Sequence, residues 1–100
     1  MKFEELWNIL TRDLSETREF QTLSQTGKFQ AKYLGGRIHI TTPNSVWTIE
    51  RPEMHKIWNK GVTLDENLRF KHFNYSQENI RALSFILALM RDFVGSNKME

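Results

Sequence analysis

The most constraining feature of this sequence is a nearly continuous apolar stretch between Ser76 and Gly95. Its large hydrophobic residues are Ile80, Leu83, Phe85, Ile86, Leu87, Leu89, Met90, Phe93 and Val94. Their spacing predicts a long helix over residues 77–94, with Ser76 as the N-cap and Gly95 at the position of a left-handed C-cap. Such a helix has only a narrow polar strip and must be covered on more than one side. We interpret it as a central core helix, with a subunit interface as the alternative.

Length and composition predict a single soluble domain over residues 1–100. The chain has 39% hydrophobic and 26% charged residues, which is typical of globular proteins. It contains no cysteine, which excludes a disulfide framework and a thiolate metal site. The first residues lack the pattern of a signal peptide, and the apolar stretch is interrupted by charged residues, so no membrane span is predicted. We therefore expect a soluble cytoplasmic protein of bacterial origin.

The N-terminal segment predicts an amphipathic helix. Its hydrophobic residues recur with the spacing of one helical face, at Phe3, Leu6, Trp7, Leu10 and Leu14. Glu4 and Glu5 lie in the first turn, where the helix dipole favours anions. Residues 15–27 are polar, and the sequence leaves their structure open. Phe20 and Leu23 are expected to anchor them, in a short strand or a helical turn.

Two turn signals separate three alternating segments in the middle of the chain. Gly35-Gly36 lies between residues 28–34 and 37–42 and is typical of a two-residue hairpin loop. Pro43-Asn44 suits a second tight turn. Pairing across both turns places apolar residues opposite apolar ones, which predicts a three-stranded antiparallel meander with one apolar and one polar face. The predicted pairs are Tyr33 with Ile38, Ala31 with Ile40, Lys32 with His39, Ile40 with Trp47, Ile38 with Ile49, His39 with Thr48, and Arg37 with Glu50.

The remaining segments predict a short helix and a connector. Arg51-Pro52 begins the helix, and Lys60-Gly61 ends it, with a cation followed by a C-cap glycine. The structure of residues 62–75 is left open. The expected hydrophobic anchors of this connector are Leu64, Leu68, Phe70, Phe73 and Tyr75. Residues 96–100 are predicted to form a flexible polar tail.

The predicted fold is therefore α+β. It consists of an N-terminal helix, a three-stranded antiparallel meander, a short helix and a long C-terminal helix packed on one sheet face. Because three strands cannot fully cover so apolar a helix, we expect a homo-oligomer, joined through that helix or through sheet edges.

Five short motifs made of core positions are similar to a recurrent module in short uncharacterised bacterial proteins of mobile gene cassettes. They are Phe20-x-Thr-Leu, Phe29-x-Ala, Gly36-x-Ile-x-Ile, Trp47-x-Ile and Glu53-Met-x-x-Ile-Trp. This resemblance implies a fold and supplies no catalytic residue. The order of elements also resembles double-stranded-RNA-binding domains and the small toxin ribonucleases that share their topology. Neither the basic start of the second helix in the former nor the Gly-Ser-His signature of the latter is present, so this resemblance implies topology alone.

The polar face of the predicted meander supplies the main candidate binding residues, which are Lys28, Lys32, Arg37 and His39. Cations on one face can hold a nucleic acid or an acidic protein. The alternative is a solvated face whose basic side chains discourage aggregation. A second candidate, Arg69 and Lys71, lies in a segment that interleaves cations with aromatic residues, as proteins that stack single-stranded bases do. Burial of Phe70 and Phe73 as core anchors is the alternative there.

The histidines His39, His55 and His72 show no helical metal-ligand spacing, so we predict neither a metal nor another cofactor. His39, between Lys32 and Thr48, is the one candidate general base, but no nucleophile or oriented partner is evident. We therefore expect a small non-enzymatic binding or interaction protein, homodimeric, with the basic sheet face as its partner surface. The alternatives are a nucleic-acid-binding protein that uses the same face and a small ribonuclease with His39 as base. The net charge of +2 is compatible with nucleic acid but does not require it.

Overall fold

The computed structural model describes all residues from Met1 to Glu100 and contains three α-helices and four strands. The elements are α1 (Phe3–Asp13), β1 (Arg18–Gln21), β2 (Lys28–Leu34), β3 (Arg37–Thr41), β4 (Val46–Ile49), α2 (Arg51–Val62), two 3₁₀ helices (Glu66–Leu68 and His72–Glu78) and α3 (Leu83–Val94). The strands form one antiparallel sheet in the order β1-β2-β3-β4. The helices pack on one face of it around a single hydrophobic core. The predicted α+β class is confirmed, with four strands in place of three.

Both predicted hairpins are confirmed in position and register. The pairs across the first turn include Tyr33 with Ile38, Ala31 with Ile40 and Lys32 with His39, and those across the second include Ile38 with Ile49, Ile40 with Trp47 and His39 with Thr48. Gly35 and Gly36 adopt φ angles of +64° and +81°, which a primed hairpin turn requires and which only glycine adopts at little cost. At the second turn, the amide of Thr42 donates to the carbonyl oxygen of Ser45 at 2.9 Å.

The fourth strand, β1, comes from the segment that the sequence left open. It pairs with β2, and Phe20 lies opposite Phe29. Phe20 is the one buried residue of β1, so the sequence lacks the repeated alternation of apolar and polar residues from which a strand can be predicted. The centroid of the Phe20 ring lies 5.8 Å from that of Phe93, so β1 extends the sheet beneath α3.

The last helix is shorter than predicted. α3 begins at Leu83. Residues 77 and 78 belong instead to the second 3₁₀ helix, which ends at Glu78 and is followed by Asn79 with a left-handed φ of +54°. The prediction that Ser76 is the N-cap is wrong, since its hydroxyl donates to the carbonyl oxygen of Phe73 at 3.1 Å inside the 3₁₀ helix. The other end lies where predicted, with Gly95 as the C-cap at a φ of +58°.

α3 is covered by its own chain. Residues 86–90 are fully buried, and β1, α1, α2 and the second 3₁₀ helix all contact α3. The sequence predicts that this helix is partly uncovered, because it predicts only three strands and no contact between the connector and the helix. In the structure, the fourth strand and the second 3₁₀ helix supply that cover. A homo-oligomer therefore cannot be inferred from an uncovered α3, and the sheet edges are the alternative to consider.

Gly61 does not end the second helix, which continues through Val62 to a C-cap at Thr63. Glycine occupies this position because other residues approach it closely. A Cβ atom there would lie 2.9 Å from the hydroxyl oxygen of Tyr75 and 3.0 Å from the methyl carbon of Met99. The helix backbone and the connector can thus pack together only if this residue has no side chain.

Residues 96–100 differ from the predicted flexible tail, because they pack on the helical layer. Met99 is only 6% exposed. The indole N–H of Trp58 donates to the carbonyl oxygen of Glu100 at 3.0 Å, and the amide of Glu100 donates to the carbonyl oxygen of Met1 at 2.8 Å. A single buried methionine among polar residues gives no periodic pattern, so the sequence does not reveal this contact.

Buried Tyr75 is expected to make stability fall at alkaline pH. Burial raises the pKa of its hydroxyl from 10.0 to about 12, and the nearby charge of Arg69 opposes part of this increase. The stabilising contribution of the neutral hydroxyl is therefore complete below pH 10, where tyrosine in the unfolded chain starts to ionise, and is lost as pH rises towards 12. The urea midpoint of the wild type should fall more steeply over this range than that of Tyr75→Phe, in which this residue cannot ionise. Parallel pH profiles of the two proteins would contradict the prediction.

Candidate functional site

One face of the sheet points away from the helices and is open to solvent. We call it the outer face. It is formed by the side chains that alternate with core residues along the strands: Glu19, Gln21, Lys28, Gln30, Lys32, Leu34, Arg37, His39, Thr41, Val46 and Thr48. Two shallow depressions of about 300 and 270 Å³ lie on this face and share Gln30 and Thr41 in their linings. Four of the predicted binding residues therefore lie on one surface.

The outer face is less basic than the sequence indicates. The ammonium of Lys28 lies 3.8 Å from the carboxylate of Glu19, and the guanidinium of Arg37 lies 2.9 Å from that of Glu50. These exposed pairs contribute little to stability, but each cancels a charge locally. Lys32 forms no ion pair, so it is the one predicted binding cation on this face without a carboxylate beside it.

His39 is held by the turn between β2 and β3. Its Nε2 lies 3.0 Å from the carbonyl oxygen of Leu34. Because a carbonyl can only accept, Nε2 carries the hydrogen, which makes Nδ1 the acceptor of the neutral ring. The neighbours Lys32 and Thr48 lie opposite His39 in the sheet as predicted, but neither donates a hydrogen bond to the ring. The contacts of His39 thus fix the orientation of the ring and do not assemble a general base with a nucleophile.

Arg69 and Lys71 do not join the outer face. They lie in the connector before the second 3₁₀ helix, and that helix packs on α2 and α3. The Nε of Arg69 donates to the carbonyl oxygen of Gly61 at 3.0 Å, and the carbonyl of Arg69 accepts from the Tyr75 hydroxyl at 2.6 Å. Arg69 therefore links the connector to α2 by a hydrogen bond. Lys71 is exposed and lies on the helical layer, the side of the sheet that carries the helices.

Exposed aromatic rings and the cations of the outer face lie in different parts of the molecule. Phe70 packs partly against the core as expected, whereas Phe73 is 68% exposed and is not the anchor that we expected. Both belong to the connector, and no aromatic side chain belongs to the outer face. Binding of single-stranded nucleic acid by stacking needs rings beside the cations, and this arrangement does not provide them.

A third concave site lies along the free edge of β4, and we call it the β4 groove. It has a volume of about 480 Å³ and is lined by Val46, Trp47, Thr48, Glu50, Glu53, Arg81 and Ala82. The guanidinium carbon of Arg81 lies 5.6 Å from the centre of the Trp47 ring. The sequence predicts Trp47 on the apolar face of the meander and Arg81 within the helix over residues 77–94. In the structure Trp47 is half-buried, and Arg81 precedes α3 and forms one wall of this groove.

No group of three or more metal-ligating side chains is arranged to hold a metal ion, and none of the helices combines the length and the apolar character needed to span a bilayer. Comparison of the chain with protein-family models, curated proteins and solved structures finds no match. The fold and its surfaces define a small α+β domain with helices on one side of a four-stranded meander and an open face on the other.

Proposed function

We propose that this chain is a small non-enzymatic binding protein, that it acts as a homodimer, and that its outer face takes a protein partner. The observation that carries the proposal is the depression lined by Lys32, Leu34 and His39. It combines an aliphatic side chain that is 60% exposed, an ammonium without an ion pair and an imidazole with one free acceptor nitrogen. An apolar contact surrounded by polar groups is the usual composition of a protein–protein interface.

A protein partner with an acidic group fits this surface better than a nucleic acid does. Two of the three cations on the outer face are paired with carboxylates, and the face has no aromatic ring on which a base could stack. A single carboxylate of the partner can pair with Lys32 while an apolar side chain covers Leu34. The nucleic-acid-binding protein and the ribonuclease with His39 as base are thus less well supported, and both become outcomes of the test.

The proposal can be tested by titrating the ¹⁵N-labelled protein and following its amide signals by NMR. We expect a size-fractionated protein extract of the host cells to shift the signals of Lys32, Leu34 and His39, and these shifts should persist at moderate salt. A mixed pool of short RNA and DNA should leave the signals unchanged. Lys32→Glu and Leu34→Asp should abolish the response to the extract. Lys71→Glu, an equal charge reversal on the helical layer, should retain it.

Three results would contradict the proposal. Shifts confined to the helical layer would place the partner surface elsewhere. A salt-sensitive response to the nucleic-acid pool that is lost in Lys32→Glu would support the nucleic-acid-binding alternative. Turnover of RNA that disappears in His39→Ala would establish the ribonuclease.

A further inference from the structure

The two edges of the sheet differ in their protection against pairing with another strand. The outer edge of β1 carries Arg18 and Glu19, and the carbonyl of Gln21 at its end accepts from the guanidinium of Arg91 at 3.2 Å. The other edge, β4, contains no charged residue and no proline, and Val46 is 70% exposed. Because charges on an edge discourage pairing, β4 is the edge better suited to receive a further strand.

Alternate backbone groups of β4 point towards the β4 groove. The bond from the Thr42 amide to the Ser45 carbonyl makes these residues a hydrogen-bonded pair at the end of the hairpin. Pairs in an antiparallel ladder alternate between hydrogen-bonded and non-hydrogen-bonded. Val46 and Thr48 therefore direct their amide and carbonyl groups away from β3, where they can bond to one more strand.

The charges of the β4 groove are ordered along the strand. Near its start, the guanidinium of Arg81 lies over the Trp47 ring and forms no ion pair. Just beyond its end, the carboxylate of Glu53 accepts from the amide of Glu50 at 2.9 Å. A copy that runs antiparallel to β4 reverses this order and brings a positive end to a negative end. A self-complementary interface around a two-fold axis requires this pattern.

We propose that a second copy of this chain occupies the β4 groove, with β4 paired antiparallel to its equivalent about a two-fold axis near Thr48. Arg81 of each copy then faces Glu53 of the other, and Val46 becomes covered. The inference rests on the dimeric state proposed above and assigns the surface that forms it. Joining two four-stranded sheets in this way makes a continuous sheet and sets the two outer faces side by side.

Sedimentation equilibrium on single and mixed variants tests the proposal. The wild type should be a dimer, and Arg81→Glu and Glu53→Lys should each weaken dimerisation about tenfold or more, since each places like charges at both contacts. An equimolar mixture of these two variants should restore the dimer, because a mixed pair has opposite charges at both contacts. Arg12→Glu, a charge reversal at a side chain on α1 that is 76% exposed, should leave the dimer unchanged.

Val46→Lys provides a second test. Unlike Glu53→Lys, it does not remove the carboxylate that accepts from the Glu50 amide and caps the start of α2. A lysine at this exposed edge position should abolish the dimer, and the monomer should still fold and unfold cooperatively on heating. A wild type that stays monomeric would overturn both the proposed dimer and the role of β4 in it. If the NMR titration with the protein extract then shifted the amide signals of β4, the edge would bind a different partner. If the dimer persists in Arg81→Glu, Glu53→Lys and Val46→Lys, the protein is a dimer but β4 is not its interface. The same conclusion follows if the mixture of Arg81→Glu and Glu53→Lys fails to associate.

Discussion

Gly61→Val is expected to destabilise the protein by about 2 to 3 kcal/mol, in the upper part of the range of about 1 to 3 kcal/mol that adding atoms to a well-packed core usually costs. The new Cβ would lie 2.9 Å from the Tyr75 hydroxyl oxygen and 3.0 Å from the methyl carbon of Met99. The methionine side chain is flexible and can move away. Tyr75 is fully buried, and its hydroxyl is held by the carbonyl of Arg69 at 2.6 Å, so it can move only if that bond breaks. Urea unfolding of the variant and the wild type measures the difference.

Gly61→Ala separates this clash from backbone effects. In a helix interior, alanine gains about 1 kcal/mol over glycine in intrinsic propensity, so a free site would be stabilised by that amount. We expect the close contact with Tyr75 to outweigh this gain and make the alanine variant less stable than the wild type. Gly27→Ala, in the loop before β2, is the control for adding a methyl group without a clash, since a Cβ there meets only the Thr22 side chain, at 3.6 Å or more. Stabilisation by Gly61→Ala would contradict the packing described here.

The parts of the fold that were predictable are those fixed by local chemistry. The meander needs only alternation, two turn signals and agreement between the hydrophobic sets, and all of these lie within residues 28–49. β1 lacks these signals because it has one buried residue, Phe20. The sequence predicts too early a start for α3, because Ile80 fits the apolar pattern of the helix although Asn79 before it has a left-handed φ and helical structure begins only at Leu83. Periodicity counts apolar residues, but it does not show where the backbone changes direction.

The candidate sites show the same division between local and tertiary information. Strand alternation was enough to place Lys28, Lys32, Arg37 and His39 on one face. The sequence reveals only one of the two ion pairs that reduce the positive charge of this face. The pairing of Arg37 with Glu50 follows from the strand register, whereas Glu19, the partner of Lys28, lies on β1, which the sequence does not predict. The β4 groove joins β4 and the start of α2 to Arg81 and Ala82, which are distant in the sequence, so its charge pattern emerges only when the tertiary structure brings these segments together.

Deleting residues 96–100 is expected to cost about 3 kcal/mol of unfolding free energy, which is typical of removing a buried methionine side chain. Met99 is 6% exposed, and its methyl group occupies the space above Gly61. The deletion also leaves the indole N–H of Trp58 without its acceptor on Glu100, and Trp58 is only 1% exposed. The deletion should therefore lower the urea midpoint and increase exposure of the Trp58 fluorophore.

Point variants identify which contact carries this loss. Met99→Ala retains the backbone of the segment and should reproduce most of the destabilisation, about 2 to 3 kcal/mol. Lys98→Ala changes an exposed side chain beside it and should have little effect. If the deletion and Met99→Ala both retain wild-type stability, residues 96–100 are the solvated tail that their polar composition indicates. If the deletion and Met99→Ala both lower stability while Lys98→Ala does not, residues 96–100 are part of the core. Met99 then packs on α2 at Gly61, where a side chain would displace it.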